Sequence, residues 1–259
     1  MSYTFNIPFH NNQKLKRIID EVIKDKRLNT LWKCANVMAI DRMAYSNHGP
    51  THAKIAANLA LKLLRILFEN KIVPSIVKNY DMKNEDAEVV VVLGSIFHDL
   101  GMVVIRDKHE IYGALLAKDL LEKYLQTIYS EEEHTIASSE VLHAIVCHEE
   151  PVKPLTIEAG IIRIADALDM EKGRARIPFQ AGKVGIHSVS AISIEKVSVE
   201  KGDKKPVTIR IRLSNSAGIF QIDELLRPRI ESSGLQDYFY VVADIAGEKE
   251  TRIVERFEF

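Results

Sequence analysis

Cysteine is scarce. Two residues in 259, Cys34 and Cys147, do not make a disulfide framework, and they fit a reducing compartment. Neither charge is in excess: 35 Lys+Arg stand against 36 Asp+Glu, a formal net charge of -1. A general nucleic-acid binder needs a basic surplus to displace counterions from phosphates, so that class is not expected. A long apolar run is also missing. The longest, residues 89–97, is broken by Gly94 and Ser95 and falls far short of the roughly 20 residues that span a bilayer. The first residues, from Met1 to Pro8, lack a basic flank followed by an apolar core, so no signal peptide is expected. Together these absences predict a soluble, cytoplasmic protein with no membrane partner. No internal repeat or low-complexity linker is visible. What is present is ordinary for a globular chain: 46% hydrophobic residues, enough for a sizeable core. The length suits one large domain, or one domain plus a smaller one.

The first two-thirds reads as helical. Leu15, Ile18, Ile19, Val22 and Ile23 recur at 3/4 spacing, and a second helix is predicted over 28–44. Gly49-Pro50 breaks the chain, and a stripe of Ile55, Leu59, Leu63, Ile66 and Leu67 marks a helix over 51–68. Asn84-Glu85-Asp86 looks like the acidic start of a helix reaching His98, with Gly101 placed to end it. The β-branched run at 89–92 resembles a strand, but its continuation in a helical pattern favours helix. Further helices are expected over 107–125, after a polar loop at 127–135 up to His148, and over 156–170. Near Gly173 the texture changes. Period-two alternation at 192–199 and 207–213, with Gly202-Asp203 between, reads as a hairpin. A helical stretch at 220–231 and strands at 238–243 and 251–257 around Gly247 complete a β-β-α-β-β order. The expected architecture is mainly α: an all-helical bundle over 1–178, then a smaller α+β domain over 179–259.

Seven of nine histidines lie between His48 and His148. His98-Asp99 closes an apolar helix and offers two ligand types for one divalent ion; taken alone, the pair reads more simply as a helix-terminal His beside an exposed Asp. In His48-Gly49-Pro50-Thr51-His52 the histidines are four apart across a break, and His52 shares the side of Ile55 and Leu59, where a hydrogen-bonded core histidine also fits. Asp166 stands in an apolar helical setting and needs a counter-charge, from a metal or from an arginine such as Arg174 or Arg176. Asp169, nearer the helix end, is expected to be solvated.

Taken together, His52, His98-Asp99 and Asp166, in this order on successive helices, resemble the HD-domain superfamily of metal-dependent phosphohydrolases. The segments Phe97-His98-Asp99-Leu100-Gly101 and Ile164-Ala165-Asp166-Ala167-Leu168-Asp169 are similar to family segments, and the resemblance covers roughly residues 45–170. It implies an all-helical catalytic domain with His52, His98, Asp99 and Asp166 on a divalent ion. His109-Glu110-Ile111-Tyr112-Gly113-Ala114 and Cys147-His148-Glu149 resemble the segments that supply further histidines in two-metal branches, so His109 and His148 are implied at a second ion, with Asp99 bridging. HD-GYP phosphodiesterases carry two adjacent histidines where this chain has Cys147-His148, and their Gly-Tyr-Pro signature is absent. His143 competes with His148; five apart on one helix, the two point in different directions. His48 resembles the proton donor of cyclic-nucleotide phosphodiesterases, although the Asn that follows it there is Gly49 here.

The resemblance implies hydrolysis of a small-molecule phosphate ester, of a nucleotide by preference, as monoester or diester. One or two divalent ions (Mn, Fe, Zn, Co, Ni or Mg) activate the attacking water, and catalytic His48 and Asp99 handle proton and metal. Lys172, Arg174 and Arg176 are candidate phosphate-binding residues, or a solvated basic run. Two rival readings stay open: a di-iron oxygenase of the HD type, and a non-catalytic nucleotide-binding sensor. The α+β domain carries no matching motif; it is expected to serve self-association into a homo-oligomer or a regulatory role.

Overall fold

The computed structural model describes residues 5–173, 186–246 and 256–258. Helix α1 (Gln13–Lys24) starts where the Asn12 side chain accepts the Leu15 N–H at 3.0 Å, and it buries Leu15, Ile18, Ile19 and Val22. Helix α2 (Lys26–Asn36) is capped by Asp25, whose carboxylate accepts the Leu28 N–H at 2.9 Å. The predicted helix over 28–44 does not run through. It widens at Val37–Arg42 into a π-helical turn, whose i→i+5 bonding leaves no mark in apolar periodicity. Pro50 opens α3 (Pro50–Glu69), and α4 (Ser75–Tyr80) is short.

Helix α5 (Asn84–Phe97) is the centre of the bundle: every residue from Asp86 to Phe97 is buried. It packs against α1, α3, α4 and three helices that follow in sequence. The Val89–Val92 stretch is thus helical despite its β-branching, because burial on all sides outweighs a propensity difference of at most about 0.7 kcal/mol per residue. Those later helices are α6 (His109–Leu125), α7 (Glu131–Val146) and α8 (Ile157–Leu168). Ser130 caps α7 in a reciprocal pair with Glu133, so the polar segment expected as a loop to 135 is already helix from Glu131.

After α8 come α9 (Ile186–Ile192) and an antiparallel pair, β1 (Ile194–Lys201) and β2 (Val207–Leu213). The chain then crosses over through α10 (Ile219–Gln221), a second π-helical turn (Ile222–Leu226) and α11 (Arg227–Glu231). It returns as β3 (Phe239–Ile245), parallel to β2, and β4 (Arg256–Glu258) pairs antiparallel with β3. The sheet order among the described residues is β1-β2-β3-β4. The architecture is therefore the mainly helical one expected, followed by a small α+β unit. The turn expected around Gly247 lies outside the described residues. Buried sheet residues such as Ile209, Ile211 and Val241 join the same apolar core as α3, α5 and α8. No helix among the described residues is long and apolar enough to cross a membrane.

Asp25 ties α2 to α6. Besides the cap, its Oδ2 accepts from Lys123 Nζ at 2.7 Å and from the Tyr124 hydroxyl at 2.8 Å. Burial pushes its carboxyl up, but Lys123, the Leu28 N–H and Tyr124 outweigh that and hold it below the usual value. Its folded-state pKa is thus lower than its unfolded one. The stabilisation is complete above about pH 4 and is lost as the pH falls through the folded value. Asp25→Ala should cost about 2 kcal/mol in urea unfolding at pH 7, from the lost cap and the stranded partners, with a smaller difference from wild type near pH 3. A pH-independent difference would contradict this assignment.

Candidate metal centre

Five helices converge on one buried point. His52 lies in the first turn of α3, immediately after the Gly49-Pro50 break. His98 caps the C-terminus of α5, and Asp99 follows in the turn that leads into a 3₁₀ segment, Leu100–Val103. His109 is the first residue of α6. The 3₁₀ segment brings it close: a Cβ on Gly101 would lie 1.9 Å from the His109 carbonyl oxygen, so only glycine admits this approach. His148 sits just beyond α7, and Asp166 lies in the last turn of α8.

The imidazole Nε2 atoms point inward. His52 Nε2 is 3.0 Å from His98 Nε2, and His109 Nε2 is 3.1 Å from His148 Nε2. Asp99 stands between these two pairs. Its Oδ2 lies 3.3 Å from His52 Nε2 and 3.2 Å from His98 Nε2; its Oδ1 lies 3.3 Å from His109 Nε2 and 4.0 Å from His148 Nε2. Asp166 Oδ1 joins the first pair, 3.1 Å from His52 Nε2 and 3.6 Å from His98 Nε2. The four histidines are almost fully buried.

The outer ring nitrogens are anchored, which turns the inner ones toward the centre. His98 Nδ1 donates to the Ser95 carbonyl at 2.8 Å, and His148 Nδ1 to the Ile145 carbonyl at 2.6 Å. His52 Nδ1 donates to Asp169 Oδ2 at 2.6 Å. Asp169 is thus not solvated, as its place near the helix end had implied. One turn after Asp166, it folds back under His52 with a side chain 10% exposed. Asp169→Ala should lower metal affinity or activity about 10–100-fold without removing any direct ligand. Equilibrium dialysis with Mn²⁺ would check this, and unchanged affinity would contradict it.

The electrostatics match a cation site. Burial pulls His98 down, but the Asp99 and Asp166 carboxylates outweigh it and hold the imidazole well above its ordinary value. Burial raises Asp99, but His98, His48, His109 and His52 hold it well below the carboxylate range. Asp166 is likewise lowered against its burial, by His52 and His98. His148 is pushed down to about 3 by burial and by His98 and His109, so it presents a neutral ring. Among the described residues, the buried Asp99 Oδ2 has no hydrogen-bond partner. An orphaned carboxylate oxygen amid converging Nε2 atoms fits a divalent ion. Two overlapping ligand sets meet such an ion's needs: His52, His98 and Asp166, and His98, Asp99 and His148.

The remaining sequence-derived residues are placed as follows. His48 is half-buried beside the cluster, its ring centroid 5.9 Å from that of His52. Its Nδ1 donates to the Ser46 carbonyl at 2.7 Å, and its N–H to Asn36 Oδ1 at 3.1 Å. The Asn36 amide occupies the space beside Gly49, where a Cβ would meet its Nδ2 at 2.3 Å. His143 is directed elsewhere: its Nε2 accepts the Leu155 N–H at 3.1 Å. Lys172 is exposed, and Arg174 and Arg176 lie outside the described residues. Sequence reasoning passed over Arg106, Glu149, Arg163 and Arg229, which surround His109 and His148. Their partners are up to 81 residues away, beyond any local pattern.

Comparison with known proteins accords with this geometry. Residues 45–171 match the HD domain family. The uncharacterized protein MJ1020 of Methanocaldococcus jannaschii is 49% identical over 234 residues, 90% of this chain and 90% of that protein. Ribonuclease Y of Protochlamydia amoebophila is 29% identical over 145 residues, 52% of this chain but 25% of that protein. No solved structure matches the chain. With the family match laid over the buried His/Asp cluster, the chain belongs to the HD-domain superfamily of metal-dependent phosphohydrolases.

Proposed function

We propose that this protein hydrolyses a phosphate ester of a nucleotide with two divalent ions held across Asp99. The observation that carries the reading is the division of the Asp99 carboxylate, with one oxygen toward His52 and His98 and the other toward His109 and His148. His52, His98 and Asp166 would hold the first ion with Asp99 Oδ2; His109 and His148 would hold the second with Oδ1. Divalent ions bound there would lower the pKa of water toward neutral and neutralise charge on the phosphoryl oxygens.

The protein's own groups do the rest. Asp169 fixes the ring of His52, and the Ser95 and Ile145 carbonyls fix His98 and His148. His48 holds its Nδ1 proton on the Ser46 carbonyl, so Nε2 is the atom that carries a proton to the leaving oxygen. His48→Asn should leave metal content unchanged and lower turnover about 10²–10⁴-fold on esters of poor leaving groups. The loss should nearly vanish on nitrophenyl esters, whose leaving group needs no proton. An equal loss on both would contradict the role.

The relative named Ribonuclease Y supports the diester branch of this reading and a nucleotide as the esterified group. The test is a hydrolysis screen on chelator-stripped protein. Mn, Fe, Co, Ni, Zn or Mg would be restored singly against aryl phosphate mono- and diesters, mononucleotides, cyclic nucleotides and short oligoribonucleotides. Metal-dependent release of phosphate or of a nucleoside phosphate supports the reading and names the ester class. Bound metal with no turnover on any substrate would overturn it.

A further inference from the structure

The loop that carries His148 is held from the C-terminal unit. Beyond α7 the chain leaves regular structure, and two guanidiniums take up the carbonyls of residues 147, 148, 149 and 152. Arg163 of α8, fully buried, donates from Nε to the Cys147 carbonyl at 2.9 Å and from Nη2 to the Glu149 carbonyl at 2.9 Å and the Val152 carbonyl. Its Nη1 donates to Ser232 Oγ at 2.9 Å, just beyond α11. Arg229, on α11 itself, donates to the His148 carbonyl and to Glu149 Oε2.

Glu149 then passes the contact on. Its Oε1 accepts from Arg106 Nη2 at 2.9 Å, and the backbone carbonyl of Arg106 accepts the His109 Nδ1 proton at 3.0 Å. A line of alternating charge, Arg229–Glu149–Arg106, therefore joins the crossover helix to both histidines that face Asp99 Oδ1. The other half of the centre has different anchors: Asp169 for His52 and the Ser95 carbonyl for His98.

We propose that the C-terminal α+β unit, through Arg229, sets the His109/His148 half of the centre, so that the second divalent ion depends on that unit and the first does not. Arg229 is a positioning residue: it fixes the His148 backbone and, through Glu149 and Arg106, the setting of His109. A planar fork that grips a carbonyl and a carboxylate together is not reproduced by a flexible or neutral side chain. The inference rests on the reading of Asp99 as a bridge between two ions. It gives the α+β unit a task that self-association does not require.

The test is a titration of Mn²⁺ into stripped full-length protein, with bound metal per chain counted after removal of excess. Wild type should take two ions. Arg229→Gln should keep the first at near wild-type affinity and weaken the second about 10–100-fold. Glu149→Gln, which keeps the shape of the link but removes its charge, should do the same and serves if Arg229→Gln does not fold. Thermal unfolding in chelator reports on folding separately. Two ions at unchanged affinity in both variants would overturn the inference, as would parallel loss of both ions. A wild type that takes one ion overturns the bridge and the inference together. Two ions in wild type with no turnover in the substrate screen would sink the hydrolase reading alone.

Discussion

Asp99→Ala should lose both metal ions and metal-dependent turnover together. The residue is 8% exposed, and each carboxylate oxygen faces a different histidine pair, so no other single side chain serves both positions. Its charge is also what the surrounding rings depend on. With Asp166 it holds His98 well above its ordinary pKa against the pull of burial. Removing it leaves four inward imidazoles facing Asp166 alone, which is too little anionic charge for two dications. Charge neutralisation at a phosphoryl centre supplies several kcal/mol, so turnover should fall by about a thousandfold or more. Metal analysis of Asp99→Ala after equilibration with Mn²⁺, beside its rate on the best substrate, checks both parts. Two bound ions with full activity would refute the bridge.

Arg163→Met should produce the largest loss of stability. Arg163 is a fully buried guanidinium near the Asp166 end of the bundle, and each of its nitrogens has a partner: the carbonyls of Cys147, Glu149 and Val152, and Ser232. The replacement is close in length and apolar, so little packing is lost. What remains are carbonyls stranded in a buried loop, at about 1–3 kcal/mol each where no water reaches them. A destabilisation of about 3–5 kcal/mol is expected, or a melting temperature lower by roughly 10 °C or more. Urea and thermal unfolding of the metal-free protein measure it. A shift under about 1 kcal/mol would mean the loop is held by other contacts.

The His/Asp cluster was legible because its members are chemically loud. A His beside an Asp at the end of an apolar helix, a His just after a Gly-Pro break and an Asp in an apolar stripe can be read without coordinates, and the structure gathers all of them. Asp169 was not legible. Its place at a helix end reads as solvent, and only the return of α8 against α3 puts it under His52. Arg163 stood in plain view three residues before Asp166, but its partners come from residues 147–152 and 232, which no helical period connects. The bundle helices followed from 3.6-residue patterning and Gly/Pro breaks. The π-helical turns at Val37–Arg42 and Ile222–Leu226 did not, since one extra residue per turn hardly changes an apolar pattern. In the sheet, alternation and the Gly202-Asp203 turn marked the β1–β2 hairpin, but not the neighbour on the other side of β2. The β2–β3 pairing is parallel because a helical crossover separates them, and a helical stretch between two strands does not reveal by itself whether the second lies alongside the first.

If the His/Asp cluster is the hydrolytic centre and works through metal, rate and metal content must change together. The most direct measurement follows turnover and bound metal together as Mn²⁺ is returned to stripped protein. No hydrolysis is expected in chelator, with a rate that rises with occupancy and a plateau at two ions per chain. Hydrolysis that persists in the stripped protein, or full occupancy with no hydrolysis of any phosphate ester, would contradict that role for the cluster.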